Sequence, residues 1–367
     1  MKTHLTDSLY GRIRDILESA RSGVARSVNT TQVVANWLIG QEIVEEEQKG
    51  KGRAEYGKRI VETLAARMTS DFGTGYSAQN LFYMKQFHVA YPSLLAAKGI
   101  LHAARGESQM ALISDVASRR SWKPGLLTPS LSWTHYRTLL RVDDGQARSF
   151  YEIEAIKTSW SARELERQIN SLLYERLALS KDKKGLLKLA KKGHEVQTPA
   201  DVFKDPVVLE FLGLPESPRL VESDLEQALI GNLQAFLLEL GKGFAFVARQ
   251  QRLTLDGDHF YIDLVFYHTI LKCYIVIDLK TGKLTHQDLG QLQLYANYYD
   301  RERRSEGDGP TLGLILCTDK NDAVVRYTLG ENASQTIFAS RYKLYVPSVS
   351  ELKAEIQREL RLLRKKG

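Results

Sequence analysis

From Leu5 to Leu179 apolar residues recur three and four positions apart with few β-branched runs, a pattern that predicts one helix after another. Gly57 to Met68 reads as a helix carrying Ile60, Leu64 and Met68 on one side, and the turn-rich Thr69-Ser70-Asp71-Phe72-Gly73-Thr74-Gly75-Tyr76 ends it. Ser77 is then a good N-cap for a second helix that buries Leu81, Met84 and Phe87 or His88. Gln79, Asn80, Tyr83, Lys85 and Gln86 are left to point elsewhere, and such side chains donate to phosphates and base edges. The pair forms a helix-turn-helix-like segment. Its turn exceeds the usual three or four residues, so a plain helical hairpin fits the pattern equally. A second helical block spans Ser130 to Leu179, its Trp133, Tyr136 and Trp160 read as core anchors. Lys181 to Lys192 sets six lysines around Leu186, Leu187 and Leu189, a basic linker or frayed helix that either touches nucleic acid or is simply solvated.

After Thr198-Pro199 the period changes. The spacing predicts an amphipathic helix from Ser223 to Leu240, then strands at Phe244 to Leu255, His259 to Tyr267 and Cys273 to Leu279, with Asp256-Gly257-Asp258 as a hairpin turn. A helix from His286 to Arg304, a strand at Leu312 to Cys317, a short helix after Asn321, a strand at Leu344 to Val346 and a basic C-terminal helix complete the series. The expected fold class is therefore α + α/β: a helical domain over 1–180, a basic linker over 181–200, and an α-β-β-β-α-β domain on a mixed sheet over 201–367.

Length and charge sharpen this division. The chain has 367 residues, 43% of them hydrophobic, enough for two cores. Residues 1–200 hold 30 Lys and Arg against 21 Asp and Glu, while 201–367 hold 21 against 23, so a +9 half precedes a −2 half. A basic domain beside an acidic one suits a grip on polyphosphate joined to a carboxylate site, although solvated surface charge gives the same totals. No apolar stretch approaches bilayer length and Met1 to Tyr10 lack the apolar core of a secretory signal, so a soluble cytoplasmic protein without a membrane partner is expected. Cys273 and Cys317 sit in apolar strands with no zinc-ligand spacing nearby, and read as buried thiols.

Strand residues alternate faces, so Asp278 and Lys280 project to the same side of an apolar strand. Asp263 lies in the preceding strand, and the short connection His268 to Lys272 makes the two a hairpin that brings the acids side by side. Two carboxylates on adjacent strands of a buried sheet repel and lose hydration, a cost that a divalent cation removes by taking oxygens from both. An ammonium two residues from such a ligand can orient a water and stabilise charge on a phosphate, as phosphodiester hydrolysis requires. Asp-x-Lys alone would more simply mark a strand end; the upstream Asp, a carboxylate-bearing helix and the element order favour the chemistry.

Glu226 is the helix carboxylate expected to face the sheet, on a stripe with Ile230, Leu233 and Leu237. Ser223-Asp224-Leu225-Glu226 is also a capping box that would employ it on backbone N–H groups; Glu222 is the reserve and Glu239 a weaker candidate. Gln287, Gln291 and Tyr295 share a face of the following helix, able to orient Lys280 or hold a phosphate. His259, His268 and His286 read as turn or edge residues rather than ligands.

The chain resembles the YhcG-like bacterial proteins, which join a helical N-terminal domain to a PD-(D/E)XK, restriction-endonuclease-like nuclease domain. The likeness runs through Asn36-Trp37-Leu38-Ile39-Gly40, Glu55-Tyr56-Gly57, Phe72 to Leu81, Leu131 to Tyr136, Phe236 to Gly241, Arg249-Gln250, Tyr261-Ile262-Asp263-Leu264 and Asp278-Leu279-Lys280. It implies a Mg²⁺-dependent nuclease acting on DNA, with Mn²⁺ able to substitute, and metal roles for Asp263 and Asp278 beside Lys280. Gln291-x-x-x-Tyr295 looks like the additional motif of RecB-type nucleases, which implies that both lie near the active site. Ile262 stands where the motif name has proline, and Asp278 where relatives more often have Glu, one methylene longer. The resulting expectation is a DNA endonuclease serving defence, mobile-element maintenance or recombination. A DNA- or partner-binding protein that no longer cuts is the alternative. Two strands need two sites, so a homodimer through the apolar positions of Leu5 to Ile16 and Val33 to Val44 is weighed against their filling the monomer core, and defence-system partner proteins are a further expectation.

Overall fold

The computed structural model describes residues 10–14, 28–49, 54–95, 122–178, 183–217, 220–333, 335–348 and 350–351. They fall into two compact units. One runs to Ile169 and takes in Leu187–Gly193; the other comprises Asn170–Leu186 and everything from His194 onward.

The first unit is helical. Helices α1 (Val28–Lys49), α2 (Ala54–Phe72) and α3 (Ala78–Ala90) precede α4 (Trp133–Leu139), α5 (Gly145–Thr158) and α6 (Ala162–Asn170). Ser77 caps α3, accepting from the Asn80 amide at 3.4 Å, and Leu81, Met84 and Phe87 are buried as their spacing predicts. The connection from α2 tightens into a 3-10 turn at Thr74–Tyr76. A Cβ on Gly40 would stand 2.0 Å from the Met84 carbonyl oxygen, so α1 and α3 cross at a point where no side chain fits. Beside it Trp37 Nε1 donates to the Tyr91 carbonyl at 2.8 Å, and the rings of Phe87, Tyr91, Trp133 and Tyr136 pack in tilted and edge-to-face pairs. Val33, Val34, Leu38, Ile39 and Ile43 are buried within this single chain, as are Tyr10 and Ile13. The apolar positions of α1 therefore fill the monomer core; the remainder of the Leu5 to Ile16 helix lies outside the described residues.

The second unit begins with α7 (Leu173–Ala178) and contains β1 (Val207–Val208), α9 (Glu222–Gly231), α10 (Leu233–Leu240), β2 (Phe244–Leu255), β3 (Asp258–His268), β4 (Cys273–Lys283), α11 (His286–Glu302), β5 (Leu312–Asp319), α12 (Asp322–Ala333) and β6 (Ile337–Lys343). Between α7 and β1 lies α8 (Lys183–Lys192), the helical one of the two forms, linker or frayed helix, that the lysine spacing allowed; Leu189 is buried and Leu187 exposed. The six strands order β1-β6-β5-β4-β3-β2, antiparallel through β2, β3 and β4 and parallel from β4 to β1. Asp256 and Gly257 both take positive φ in the two-residue turn between β2 and β3, as a hairpin with right-handed twist requires.

Two buried clusters cover the faces of the sheet. Leu225, Leu229, Phe236 and Leu240 pack with Leu264, Ile275, Ile277 and Leu279 on one; Leu289, Leu292, Tyr295 and Tyr299 pack with Val265, Val276, Ile315 and Cys317 on the other. Both cysteines are buried free thiols. A Cβ on Gly313 would come within 2.7–2.9 Å of Ile337 and Leu292, which shows how closely α11 lies on β5.

Two sequence expectations are corrected. The helix foreseen from Ser223 to Leu240 breaks at Asn232 (φ −120°, ψ 34°), and its N-cap is Val221, so the Ser223 capping box does not form. The last strand is Ile337–Lys343 rather than Leu344 to Val346; Ala339, Ser340 and Arg341 dilute its apolar signal, while β1 and β5 flank it. The basic helix expected at the C-terminus falls mainly outside the described residues.

Candidate active site

The antiparallel register of β3 and β4 runs from His268↔Cys273 to Leu264↔Ile277 and ends there. Asp263 is the next residue of β3. Its Oδ2 accepts the Leu279 backbone N–H at 2.8 Å, so a side chain takes the place of a ladder carbonyl as the strands part. The half-buried carboxyl is held above the usual carboxylate range by burial, opposed by the Leu279 amide, Lys280 and Gln250.

Asp278 lies one residue before that amide, 2% exposed. Lys280 Nζ stands 2.9 Å from its Oδ2 and forms an ion pair with it. Burial pushes the Asp278 carboxyl up to about 7; the Lys280 ammonium opposes this and the Asp263 charge adds to it. For Lys280, partial burial disfavours the ammonium, but Asp278, Glu222 and Asp263 outweigh that and raise its pKa. The acids and the lysine thus hold one another in a charge-coupled group.

The helix carboxylates arrive from α9. With the capping box absent, Glu226 turns to the strands, where its Oε2 accepts from Gln250 Nε2 at 2.6 Å; the same Nε2 is 3.0 Å from Asp263 Oδ1. Burial raises the Glu226 carboxyl, against the Gln250 hydrogen bond. Glu222 is closer to the lysine, its Oε2 3.5 Å from Lys280 Nζ and its Oε1 3.4 Å from the Thr281 N–H. Glu239 is elsewhere: fully buried, it pairs with Arg176 at 2.6 Å and accepts from the Val208 N–H at 3.0 Å.

On the opposite face of the sheet, Tyr295 of α11 is buried and donates to the Tyr261 carbonyl at 3.0 Å, while Gln291 Nε2 donates to the Tyr295 hydroxyl. Burial raises the Tyr295 phenol, and Asp278 and Asp263 add to the effect, which puts it within electrostatic reach of both acids. Thr285 and Asp288 cap this helix reciprocally, and Gln287 is exposed. His259 touches Thr254 near the hairpin turn; His268 is fully buried, bonded to the Lys242 carbonyl and the Leu271 N–H.

In the helical unit the five polar residues of α3 separate. Asn80 donates to the Gly75 carbonyl within its own cap, Tyr83 lies under the Arg137 guanidinium, and Lys85 pairs with Glu47 at 2.6 Å. Gln79 and Gln86 are exposed, on a face with Phe82 and Val89 that sequence reasoning did not single out. Gln250 entered the sequence reading only as part of the family likeness and without a role at the site, because nothing in its neighbours signals a φ of 44° in the middle of a strand.

Among the described residues no three His, Cys, Asp or Glu side chains lie close enough, as they stand, to enclose a metal ion. The two strand acids nevertheless offer carboxylate oxygens, the donors that a hard cation takes, with Glu226 and Glu222 of α9 as the neighbouring helix carboxylates.

A mixed sheet with helices on both faces, Asp263 where two strands part and Asp278-Leu279-Lys280 on the next strand are the fold and motif of the PD-(D/E)XK nuclease class. Residues 200–361 match the YhcG PDDEXK nuclease domain and residues 12–176 the DUF1016 N-terminal domain. The chain is 36% identical over 366 residues to "Putative nuclease YhcG" of Escherichia coli (strain K12), covering 96% of this chain and 95% of that one. It belongs to the YhcG-like family of PD-(D/E)XK nuclease-domain proteins. Two solved structures are more distant. A repair endonuclease from Pyrococcus abyssi is 13% identical over 36% of this chain and 50% of its own, with a TM-score of 0.25. A chain of an EndoMS–dsDNA2 complex is 14% identical over 37% and 47%, with a TM-score of 0.26. At those scores neither carries an assignment of residues.

Proposed function

We propose that this protein is a divalent-metal-dependent DNA endonuclease whose centre is Asp263, Asp278 and Lys280, with Glu226 as the third carboxylate and Gln291 and Tyr295 as its support. The observation that carries the reading is the buried Asp278 carboxyl, with the Lys280 ammonium 2.9 Å from its Oδ2 and the charge of a second acid, Asp263, acting on it.

In this reading Asp263 and Asp278 would hold Mg²⁺ or Mn²⁺, and a bound cation would supply charge neutralisation at the scissile phosphate and a lowered pKa for a water. The Lys280 ammonium, beside Asp278, orients the attacking water and meets the charge developing on the phosphate. The Tyr295 hydroxyl fixes the Tyr261 carbonyl and so the strand that carries Asp263. The helical unit is assigned DNA binding, through Gln79 and Gln86 of α3 in the first place. Asn80, Tyr83 and Lys85 reach DNA only by leaving their present partners.

Supercoiled plasmid incubated with the protein and graded Mg²⁺ tests this. The expected result is nicked and linear DNA only with added metal, and at least a 100-fold loss of rate in both Asp263→Asn and Asp278→Asn, each still folded. Undiminished cutting by both variants, or cutting in chelator, overturns the site; tight DNA binding without cutting at any metal concentration would favour the non-cleaving alternative. Action as a homodimer, partner proteins, and service in defence, mobile-element maintenance or recombination belong to the same proposal. The ratio of linear to nicked product and the neighbouring genes are their respective tests.

A further inference from the structure

The β2–β3 ladder pairs Arg249 with Leu264 and Gln251 with Ile262, and passes over Gln250 and Asp263 between them, where Gln250 takes a left-handed φ of 44°. The break reverses the faces. In a regular strand residues two apart share a side, yet Leu264 packs with Leu225 and Leu229 of α9 while Ile262 packs with Leu289 and Leu292 of α11. Tyr261, alternating with Ile262, therefore comes to the α9 side. On β2, Leu253 is buried with Ile262, so Arg252, alternating with Leu253 and paired with Tyr261, comes to that side too. Arg249, paired with Leu264, is already there, its Nη1 3.4 Å from Gln227 Oε1 of α9. Beyond the break the hairpin is thus a ribbon with one covered side, where Leu253 and Ile262 are buried, and one open side, where Arg249 and Arg252 are exposed and Tyr261 is 48% exposed. Asp256 and Asp258 stand at the turn and bound this surface.

We propose that this open side is a DNA surface of the nuclease unit: Arg249 and Arg252 take phosphate oxygens and the Tyr261 hydroxyl donates to another, on the strand that is cut at Asp263 and Asp278. The inference rests on the DNA-nuclease reading above and gives its substrate a course across the sheet. Charge argues for that occupant. Residues 201–367 carry a net −2, and Asp263, Asp278, Glu222 and Glu226 together repel a polyanion, so cations beside them are what admit it. Guanidiniums bind phosphate with paired N–H donors, and a tyrosine hydroxyl is a common donor to the DNA backbone. The backbone under Tyr261 is fixed, because the Tyr295 hydroxyl donates to its carbonyl at 3.0 Å. Tyr261 lies two residues from Asp263, about 7 Å along the strand. Nucleotides rise about 3.4 Å each along the duplex axis, so these contacts fall within a few nucleotides of the cut.

Fluorescence anisotropy of a short labelled duplex with the full chain, in chelator so that nothing is cut and over a series of salt concentrations, tests the proposal. Arg249→Gln with Arg252→Gln should lower the slope of log K against log salt by about 1.8, two contacts at about 0.9 each. Arg301→Gln with Arg303→Gln, exposed at the C-terminal end of α11, removes the same charge from the same unit and should leave the slope unchanged. Tyr261→Phe keeps the ring and the backbone bond, and should weaken binding about three-fold or more with no change of slope, as loss of an uncharged donor does. All these positions are exposed, so melting temperatures should match the parent's and tie each change to contact with DNA. A parent that binds with a steep slope, and an Arg249→Gln/Arg252→Gln protein with that same slope, overturn the hairpin surface alone. An equal loss in the α11 pair also overturns it, since net charge rather than contact would then set the slope. Unchanged affinity in Tyr261→Phe overturns the hydroxyl contact. A parent that does not bind duplex at any salt concentration overturns the DNA reading, and this inference with it.

Discussion

Glu152 of α5 shows at the level of one residue how burial sets charge. It is 1% exposed, accepts the Gly125 N–H at 3.1 and 3.2 Å, and lies among Tyr91, Tyr136 and Arg148; burial pushes it from 4.5 to about 8 against the Gly125 bond and Arg148. Its folded pKa is above the unfolded value, so between about 4.5 and 8 the folded chain holds a proton that the unfolded chain has lost. Stability from this group is therefore complete below 4.5 and declines as pH rises to 8, at up to ~1.4 kcal/mol per pH unit. Thermal melts at pH 5 and pH 8 should show a larger fall for the parent than for Glu152→Gln; equal falls would contradict the assignment. Nothing around Glu152 in the sequence marks it as buried, since Gly125 is 27 residues away. Asp263, Asp278 and Lys280, by contrast, were legible because strand alternation alone sets their direction. Gln250 was not, because its direction comes from a break in that alternation.

At the level of elements, the hairpins of β2, β3 and β4 follow from alternation and the Asp256-Gly257 turn, and their bounds agree with the pattern to within a few residues. What local pattern does not contain is pairing across long separations. Arg176 of α7, fully buried, donates to Glu239 at 2.6 Å, to the Pro206 carbonyl at 3.0 Å and to the Ser171 carbonyl at 2.9 Å, and so binds Asn170–Leu186 into the unit of the sheet. The sequence reading gave residues up to 180 to the helical domain, with a linker after it. Leu187–Gly193 returns to the helical unit, so the chain passes from one unit to the other more than once. Arg176→Ala should cost about 3–5 kcal/mol by leaving Glu239 buried beside an emptied site, while Arg176→Met with Glu239→Met should recover most of it. Urea midpoints measure both. A single variant within 1 kcal/mol of the parent would show that α7 is not held by this pair.

For the whole molecule, the charge division remains the main feature: +9 over residues 1–200 against −2 over the rest. If the basic half makes phosphate contacts, duplex binding by the full chain without metal should weaken steeply with salt, log K falling against log salt by about 0.9 per phosphate contact. Lys188→Gln with Lys191→Gln, both exposed on α8, should flatten that slope if this helix is among the contacts. Fluorescence anisotropy over a salt series reads it; a slope near zero in the parent would remove the electrostatic role. No described helix is long and apolar enough to cross a membrane.

The acid pair and Lys280 are proposed here as a hydrolytic centre rather than the polar end of a strand. The most direct measurement is single-turnover cleavage of plasmid by Lys280→Ala at saturating Mg²⁺, with cation and DNA affinities measured on the same protein. The expected result is a rate at least 100-fold lower, with both carboxylates still binding the cation and DNA affinity little changed, and with little of the rate restored in Lys280→Arg, since a planar guanidinium places its donors differently. A Lys280→Ala protein that cuts at the parent rate would contradict it.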